Sequence, residues 1–370
     1  VNTEYIELTP LVPGQPLNLI KHTFGQPGTG RSAYLQAGLH ADEHPGILVL
    51  HHLTELLSGY EQQGKLRGEI VIVPFANPVG LLQNVLGCWT GRFNLADGEN
   101  FNRQFPDLNP LLDAQTLAKD TSPAERVQAA LADNQPIDTT SQMKHRLMAE
   151  ALKHDLVLDL HCDSDAVLHL YTNQLHSERA TRLADALGAE VVFVEEFAGG
   201  QPFDESIFRT WKWFADKEYI APETIPFSVT VELRGQTDVS DELARQDALG
   251  IIAFLAAEGL IALDEPVVLE SDKTTIYPLE GASHVRAPVT GILSWHKKPG
   301  DRVSLGECIA ELIHPDRVPG SARTFVLSDV NGVMVARPVM KMIRAGQRVA
   351  LLAGNEKLAN RQAGSLLKHF

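Results

Sequence analysis

Cysteine is scarce in this chain. Cys88, Cys162 and Cys308 are the only three in 370 residues, and they form no Cys-x-x-Cys pair. Such spacing offers no disulfide framework and implies a reducing, cytoplasmic setting. Positive charge is also short, with 32 Lys and Arg against 47 Asp and Glu and a formal net charge of −15. That balance argues against nucleic acid or an anionic membrane as the main partner. A small acidic ligand remains compatible, provided its pocket holds arginines. No apolar run is long enough to span a bilayer. Val1 to Pro10 is mostly polar with two acids, so no signal peptide is read there.

What is present is a long, ordinary globular composition, 44% hydrophobic, with room for a large core and two domains. Strand patterns fall at Tyr5 to Leu8, Leu17 to His22, Ser32 to Ala37, Gly68 to Phe75, Asp155 to Leu160, Ala166 to Tyr171, Val191 to Glu195 and Phe227 to Leu233. Helical patterns fall at Ile47 to Leu57, within 107–154 with a break near Asn134 to Thr140, at Ser177 to Leu187 and at Asp241 to Glu258. Strands alternating with helices predict an α/β fold, a largely parallel or mixed sheet with helices on both faces. Ligand sites in such sheets lie beyond the C-terminal ends of the strands. The segment Asn77 to Pro106 lacks clear helix or strand signals, and loops of that length usually carry function.

The motif Gly38-Leu39-His40-Ala41-Asp42-Glu43-His44-Pro45-Gly46 lies between a strand and a helix. His and Glu three apart in such a turn can aim an imidazole nitrogen and a carboxylate at one point, which suits zinc. The same residues equally serve as a polar turn capping the helix. His161 follows the strand Asp155 to Leu160 and is a plausible third ligand. Two His and one carboxylate make a catalytic zinc set with a position left for water. No His-Glu-x-x-His motif is present, although His40 and His44 lie one helical turn apart. His51 and His52 read as helix residues, and His169 lies on a strand near the site. Asp159, Asp163 and Asp165 flank His161 without an assigned role.

Three features together resemble the succinylglutamate desuccinylase/aspartoacylase family of the zinc carboxypeptidase-like superfamily. They are His40-x-x-Glu43, the distant His161, and the loop Gly91-Arg92 with Asp97-Gly98-x-Asn100-Phe101-Asn102-Arg103-x-Phe105-Pro106. The resemblance covers roughly residues 30 to 260. It implies one zinc per chain on His40, Glu43 and His161, a twisted mixed sheet flanked by helices, and hydrolysis of the amide of an N-acyl amino acid. It further implies that Arg103 with Asn102 binds a substrate carboxylate, a role that suits the planar guanidinium. By the same resemblance Arg92 polarises the scissile carbonyl or holds the oxyanion. Glu232, in Val229-Thr230-Val231-Glu232-Leu233-Arg234-Gly235, matches the family Glu that acts on metal-bound water. The alternatives for Glu232 are a solvated edge or a pair with Arg234. Arg209 and Trp211 are further candidates without a firm argument.

After about residue 265 the composition changes to short β-like runs between Gly turns. Val285 to Leu293, Lys298-Pro299-Gly300-Asp301-Arg302-Val303, Asn331 to Val335 and Ala345 to Val349 resemble a biotinyl/lipoyl-type β sandwich. Lys341, between Met340 and Met342, falls away from the hairpin where a carrier lysine sits. The expected division is therefore a catalytic domain, 1–265, and an unmodified β-rich accessory domain, 280–355, which shapes the site entrance or an oligomer contact. Oligomeric state is left open, a homo-oligomer included. Two rivals stand beside the hydrolase reading: a zinc carboxypeptidase acting on peptides, and a non-catalytic metal- or ligand-binding protein. Another divalent ion also fits the donor set.

Overall fold

The computed structural model describes residues 1–118, 120–265, 267, 269, 273–359 and 361–365. Nine strands form one sheet: β1 (Asn2–Leu8), β2 (Leu17–Phe24), β3 (Ser32–Ala37), β4 (Glu69–Val73), β5 (Leu156–Asp163), β6 (His169–Asn173), β7 (Val191–Glu195), β8 (Phe227–Gly235) and β9 (Thr275–Pro278). Their order is β1-β2-β4-β3-β5-β8-β6-β7-β9. The central neighbours β4, β3, β5 and β8 run parallel, while β6 is antiparallel to β8, so the sheet is mixed.

Residue parity along the buried strands decides which layer each side chain meets. Leu156, Leu158 and Leu160 of β5 share one core with α1 (Pro45–Gln62), and with two later helices, Ser177–Leu187 and Asp241–Ala257. Val157, of opposite parity, joins Tyr34 in the other core. That core is covered by α2 (Thr139–Ala151), by α4 (Phe203–Asp216), and by the shorter helices Asn109–Ala114 and Pro123–Asp133. The helices Ser177–Leu187 and Asp241–Ala257 are α3 and α5. Close approach of α1 to β5 depends on Gly46, where a Cβ would lie 2.9 Å from that of Leu160.

Beyond β9 the chain is all β. Strands β10 (Ala282–Arg286), β14 (Gly332–Arg337) and β15 (Arg348–Gly354) lie in one sheet; β11 (Gly291–Trp295), β12 (Cys308–Ile313) and β13 (Arg323–Leu327) lie in a second. Their shared core includes Val285, Leu312, Met334 and Val349. This β unit is fastened to the α/β sheet. The two-residue strand Asp165–Ala166 pairs with β14, and Phe193 and Tyr277 share an apolar cluster with Val335 and Leu351.

Three details differ from the sequence reading. Strand β5 continues through His161 to Asp163 rather than ending at Leu160, because its pairing with β8 persists to Gly235. The run Ala166 to Tyr171 is split: its start pairs with the β unit and its end belongs to β6. Helix α4 carries no expectation at all, although Phe203, Ile207 and Phe214 lie buried along it at helical spacing.

Candidate active site

The site grows from the C-terminal ends of β3, β5 and β8. In β3 and β5, Gln36 and Asp159 are paired in register, and in β5 and β8, His161 and Glu232 are. In-register neighbours of parallel strands share a face, so these polar residues project together into the α4 layer. Past β3 the chain turns, and His40 and Glu43 follow. Asn77 shapes this turn: its Nδ2 donates to the Leu39 carbonyl at 2.8 Å, while its Oδ1 accepts from Gly80 N–H at 2.7 Å.

His40, Glu43 and His161 converge, with one donor atom from each within 4.8 Å of the others. They are 4%, 2% and 2% exposed. Glu43 bridges the two rings: Oε1 lies 2.9 Å from His40 Nδ1 and Oε2 lies 2.8 Å from His161 Nδ1. The far ring nitrogens are also held. His161 Nε2 is 2.9 Å from Asp159 Oδ2, and His40 Nε2 is 2.8 Å from Asn100 Oδ1. Donation of Nε2–H outward would leave each Nδ1, on the Glu43 side, free to offer its lone pair to a cation. A carboxylate or carbonyl behind a ligand imidazole fixes its tautomer and orientation and raises its basicity. The donor set is therefore suited to a cation such as zinc.

The support extends inward. Gln36 Nε2 donates to Asp159 Oδ1 at 2.9 Å, and Tyr34 Oη donates to Gln36 Oε1 at 2.8 Å. One buried chain of polar contacts thus runs from Tyr34 through His161, Glu43 and His40 to Asn100. Its charges are coupled. Burial raises the Glu43 carboxyl pKa, but His40 and His161 overcome this and hold it well below its ordinary value. Burial lowers that of His161, but Asp159 and Glu43 hold it well above the usual imidazole range. His40 is pushed down to about 4, by burial and then by the Arg92 charge.

The Gly91-Arg92 loop packs directly on the turn. Ala41 N–H donates to the Gly91 carbonyl at 3.0 Å, and a Cβ on Gly91 would lie 2.5 Å from the Asp42 nitrogen. Only glycine lets the loop pass so close. Arg92 then reaches the cluster, its Nη1 donating to Glu43 Oε1 at 3.1 Å. Asn102 lies against the same centre. Its Nδ2 is 3.3 Å from His161 Nε2, and its Oδ1 accepts from Phe203 N–H at 2.9 Å, tying the loop to the start of α4. Arg103 is mostly buried, its Nη1 donating to the Asn102 carbonyl at 2.6 Å while Nε finds no partner. Burial, then the charge of Arg92, lowers its pKa to about 10.

Glu232 lines the same pocket, with Oε2 sealed from solvent and unpartnered. Burial, then the negative charge of Glu43, raises its pKa to about 8. The pairing with Arg234 does not occur: Arg234 instead bonds Asp247. His40, Glu43, His161, Arg92, Asn102, Arg103 and Glu232 are therefore all brought together. Arg209 bonds Asp107 and Trp211 packs beside the α4 core, both away from the pocket. His44 is the residue preceding α1 and stands outside the ligand group, and His169 is buried with Nδ1–H donated to the Val167 carbonyl.

The sequence reading missed several lining residues: Tyr171 of β6, Glu195 of β7, Asp204 of α4 and, from the β unit, His284 and Arg348. Arg348 Nη2 bonds both oxygens of Asp163, at 2.7 and 2.9 Å, at the end of the strand carrying His161. No spacing signal could have found these contacts between distant segments.

Residues 29–257 match the model of the succinylglutamate desuccinylase/aspartoacylase catalytic domain. The chain belongs to this family. A relative in Halomonas elongata, an N-alpha-acetyl-L-2,4-diaminobutyric acid deacetylase, is 26% identical over 349 residues, covering 91% of this chain and 85% of that one. Among solved structures, a family protein from Shewanella amazonensis superimposes with a TM-score of 0.82 at 26% identity, over 95% of this chain and 98% of its own. The product-bound ectoine utilization protein EutE (DoeB) from Ruegeria pomeroyi shares the fold, with a TM-score of 0.69 at 18% identity over 95% and 94% of the two chains. No helix among the described residues is long and apolar enough to cross a membrane.

Proposed function

We propose that this chain is a zinc-dependent deacylase that hydrolyses the amide bond of an N-acyl amino acid. The observation that carries the reading is the convergence of His40, Glu43 and His161 beside the unpaired carboxyl of Glu232 in one pocket. Membership of a deacylase family and the deacetylase relative support it. His40, His161 and the Glu43 carboxylate would hold the metal, and zinc bound there would supply Lewis acidity toward a water and a carbonyl.

The remaining steps belong to the protein. Glu232 takes the proton of the attacking water and passes it to the departing amine. Its pKa is raised by burial and then by the negative charge of Glu43, and a cation held at Glu43 would oppose the second of these causes. Arg92 stabilises the developing oxyanion. Arg103, positioned by Asn102, clamps a substrate carboxylate with its planar fork. We take residues 1–265 as the catalytic unit and 280–355 as an accessory unit resembling a biotinyl/lipoyl-type sandwich, working in the cytoplasm.

The test is metal content and turnover together. The purified protein is expected to hold about one zinc per chain, lost in His161→Ala. A panel of acetyl and succinyl amino acids, assayed for released amine, is expected to reveal substrates. Efficient cleavage of peptides with no turnover of short N-acyl amino acids would replace this reading with a carboxypeptidase. Zinc bound with no turnover of either class would leave a binding protein.

A further inference from the structure

The reaction pocket adjoins a larger space. The pocket measures about 100 Å³, and the groove beside it, where the α/β unit meets the β unit, about 790 Å³. Arg92, Asp163 and Arg348 line both, so they mark the junction. The groove has an apolar lining from two sources. Phe93 comes from the loop that carries Arg92, and Pro338, Met340, Met342 and Ile343 come from the segment joining β14 to β15. Phe93, Met340 and Met342 are 42%, 72% and 62% exposed. Single apolar residues at a surface are ordinary, but these converge on one groove beside the metal ligands. The Met340-Lys341-Met342 motif, which no carrier role explains, thus places both methionines there.

The charges of the groove are largely satisfied by one another. Arg92 donates to Glu43 at 3.1 Å, Arg348 bonds both oxygens of Asp163, and Asp42 accepts from Gln236 Nε2 at 3.1 Å. Arg344 also lines the groove and is exposed to water. What remains for a ligand is mainly apolar surface, and covering it releases water. Methionine suits such a lining, because its flexible, polarisable thioether packs against chains of differing length.

The direction of a bound substrate decides what reaches the groove. In the deacylase reading Arg103 holds the carboxylate of the amino acid and Arg92 faces the carbonyl oxygen. Arg103 lines the pocket and not the groove, whereas Arg92 lines both. An amide is planar and trans, so the acyl carbons leave the carbonyl on the side away from the amino-acid Cα. With the amino acid at Arg103, the acyl chain runs past Arg92 and the Asp163–Arg348 pair.

We propose that the groove between the two units is the acyl subsite, and that the acyl group it takes is an apolar chain longer than acetyl. The proposal rests on the deacylase reading above and names its acyl class. In the reaction the water oxygen joins the acyl carbon, the C–N bond breaks, the amine takes a proton, and the products are a fatty acid carboxylate and the amino acid.

The test is a chain-length series on the zinc-loaded full chain. N-Acetyl, N-butyryl, N-hexanoyl and N-octanoyl forms of leucine, glutamate and ornithine are assayed for released amine. For an amino acid that is turned over, kcat/KM is expected to rise about twofold per methylene, half of the roughly fourfold that full burial gives, since exposed methionines leave one side of the chain in water. That amounts to on the order of 50-fold from acetyl to octanoyl. Succinyl, which has the four carbons of butyryl and an added carboxylate, should not exceed butyryl. Met340→Ser combined with Met342→Ser changes two exposed positions, which the fold tolerates. It should cut the octanoyl-to-acetyl ratio at least about fivefold, chiefly through KM. A second readout does not depend on turnover. In zinc-loaded Glu232→Gln, which should leave the ligand uncleaved, ¹³C-methyl NMR of methionine reports on the groove directly. N-Octanoyl amino acid is expected to shift the Met340 and Met342 signals and to leave those of the buried Met143 and Met148 in place.

Acetyl cleaved as fast as octanoyl, succinyl ahead of butyryl, or a chain-length rise untouched by the two serines would each overturn the proposal while leaving the deacylase intact. No turnover of any compound, with Met340 and Met342 still shifted by the octanoyl form, would sink the deacylase reading and keep the groove as an acyl-binding site. No turnover and no shift would sink both.

Discussion

Asparagine in place of Asp159 tests how the metal centre is built. Asp159 is fully buried and accepts two hydrogen bonds, from Gln36 Nε2 and from His161 Nε2, each at 2.9 Å. Asparagine keeps the shape but has a single acceptor oxygen. Either its NH2 faces Gln36 Nε2, or it faces His161 Nε2–H, and one donor then meets another donor. Both orientations also remove the carboxylate charge that opposes the burial of His161. Losing a partner behind a ligand imidazole typically costs 10- to 100-fold in metal affinity, about 1.4 to 2.7 kcal/mol. A zinc titration against a competing chelator measures this. Gln36→Leu removes only the outer bond and should cost less, within about 1 kcal/mol for metal affinity. An Asp159→Asn protein that is folded, as judged by near-UV circular dichroism, and binds zinc within twofold of the parent would refute the idea that this chain orients His161.

Other substitutions follow from the same geometry. Glu232→Gln should retain zinc but lose on the order of 10² to 10⁴ in kcat, a loss that a stopped assay of released amine detects and that metal analysis separates from ligand loss. Gly91→Ala forces a Cβ to within 2.5 Å of the Asp42 backbone, and urea melts should show destabilisation of about 1–3 kcal/mol with weakened zinc binding. Arg348→Met strands the Asp163 carboxylate, and because the two side chains are 28% and 14% exposed the expected loss is about 1–3 kcal/mol, below that of a fully buried pair. Asp163→Asn added to it should recover part of that loss. Glu150 supplies a pH test: burial raises its pKa, but the nearby His154 ring, 3.9 Å away, and the hydrogen-bonded charges of Lys153 and Lys21 hold it below the ordinary glutamate range. A depressed folded-state pKa means stability present above the unfolded value, roughly 4.3, and lost as pH falls below it. The gap in urea stability between the parent and Glu150→Gln should accordingly be largest near neutrality and shrink in acid.

Local pattern and long-range contact were not equally legible. Ser32 to Ala37, Ser177 to Leu187 and Val191 to Glu195 are read from the chain with the bounds the structure gives them, since each is a short run with one dominant periodicity. His40 and Glu43 were accessible because four residues of chain fix both. Arg92, Asn102 and Arg103 depended on resemblance, because an arginine in an irregular loop has no periodicity to betray it. Yet part of the hidden site did leave a trace. Gln36 and Asp159 interrupt the otherwise buried and largely apolar runs Ala33 to Ala37 and Leu156 to Leu160, and a polar group there requires a partner. Extending β5 by one residue gives His161 the parity of Asp159, and the parallel register to β8 then sets Glu232 beside it. From those two steps alone the polar face of the sheet is defined, with Gln36, Asp159, His161 and Glu232 forced to satisfy one another or a ligand. Asp204 and Arg348 escape this logic because each meets the pocket from outside the sheet. Their placement follows from the packing of α4 and the β unit on the sheet, which is a property of the assembled core and not of any one segment.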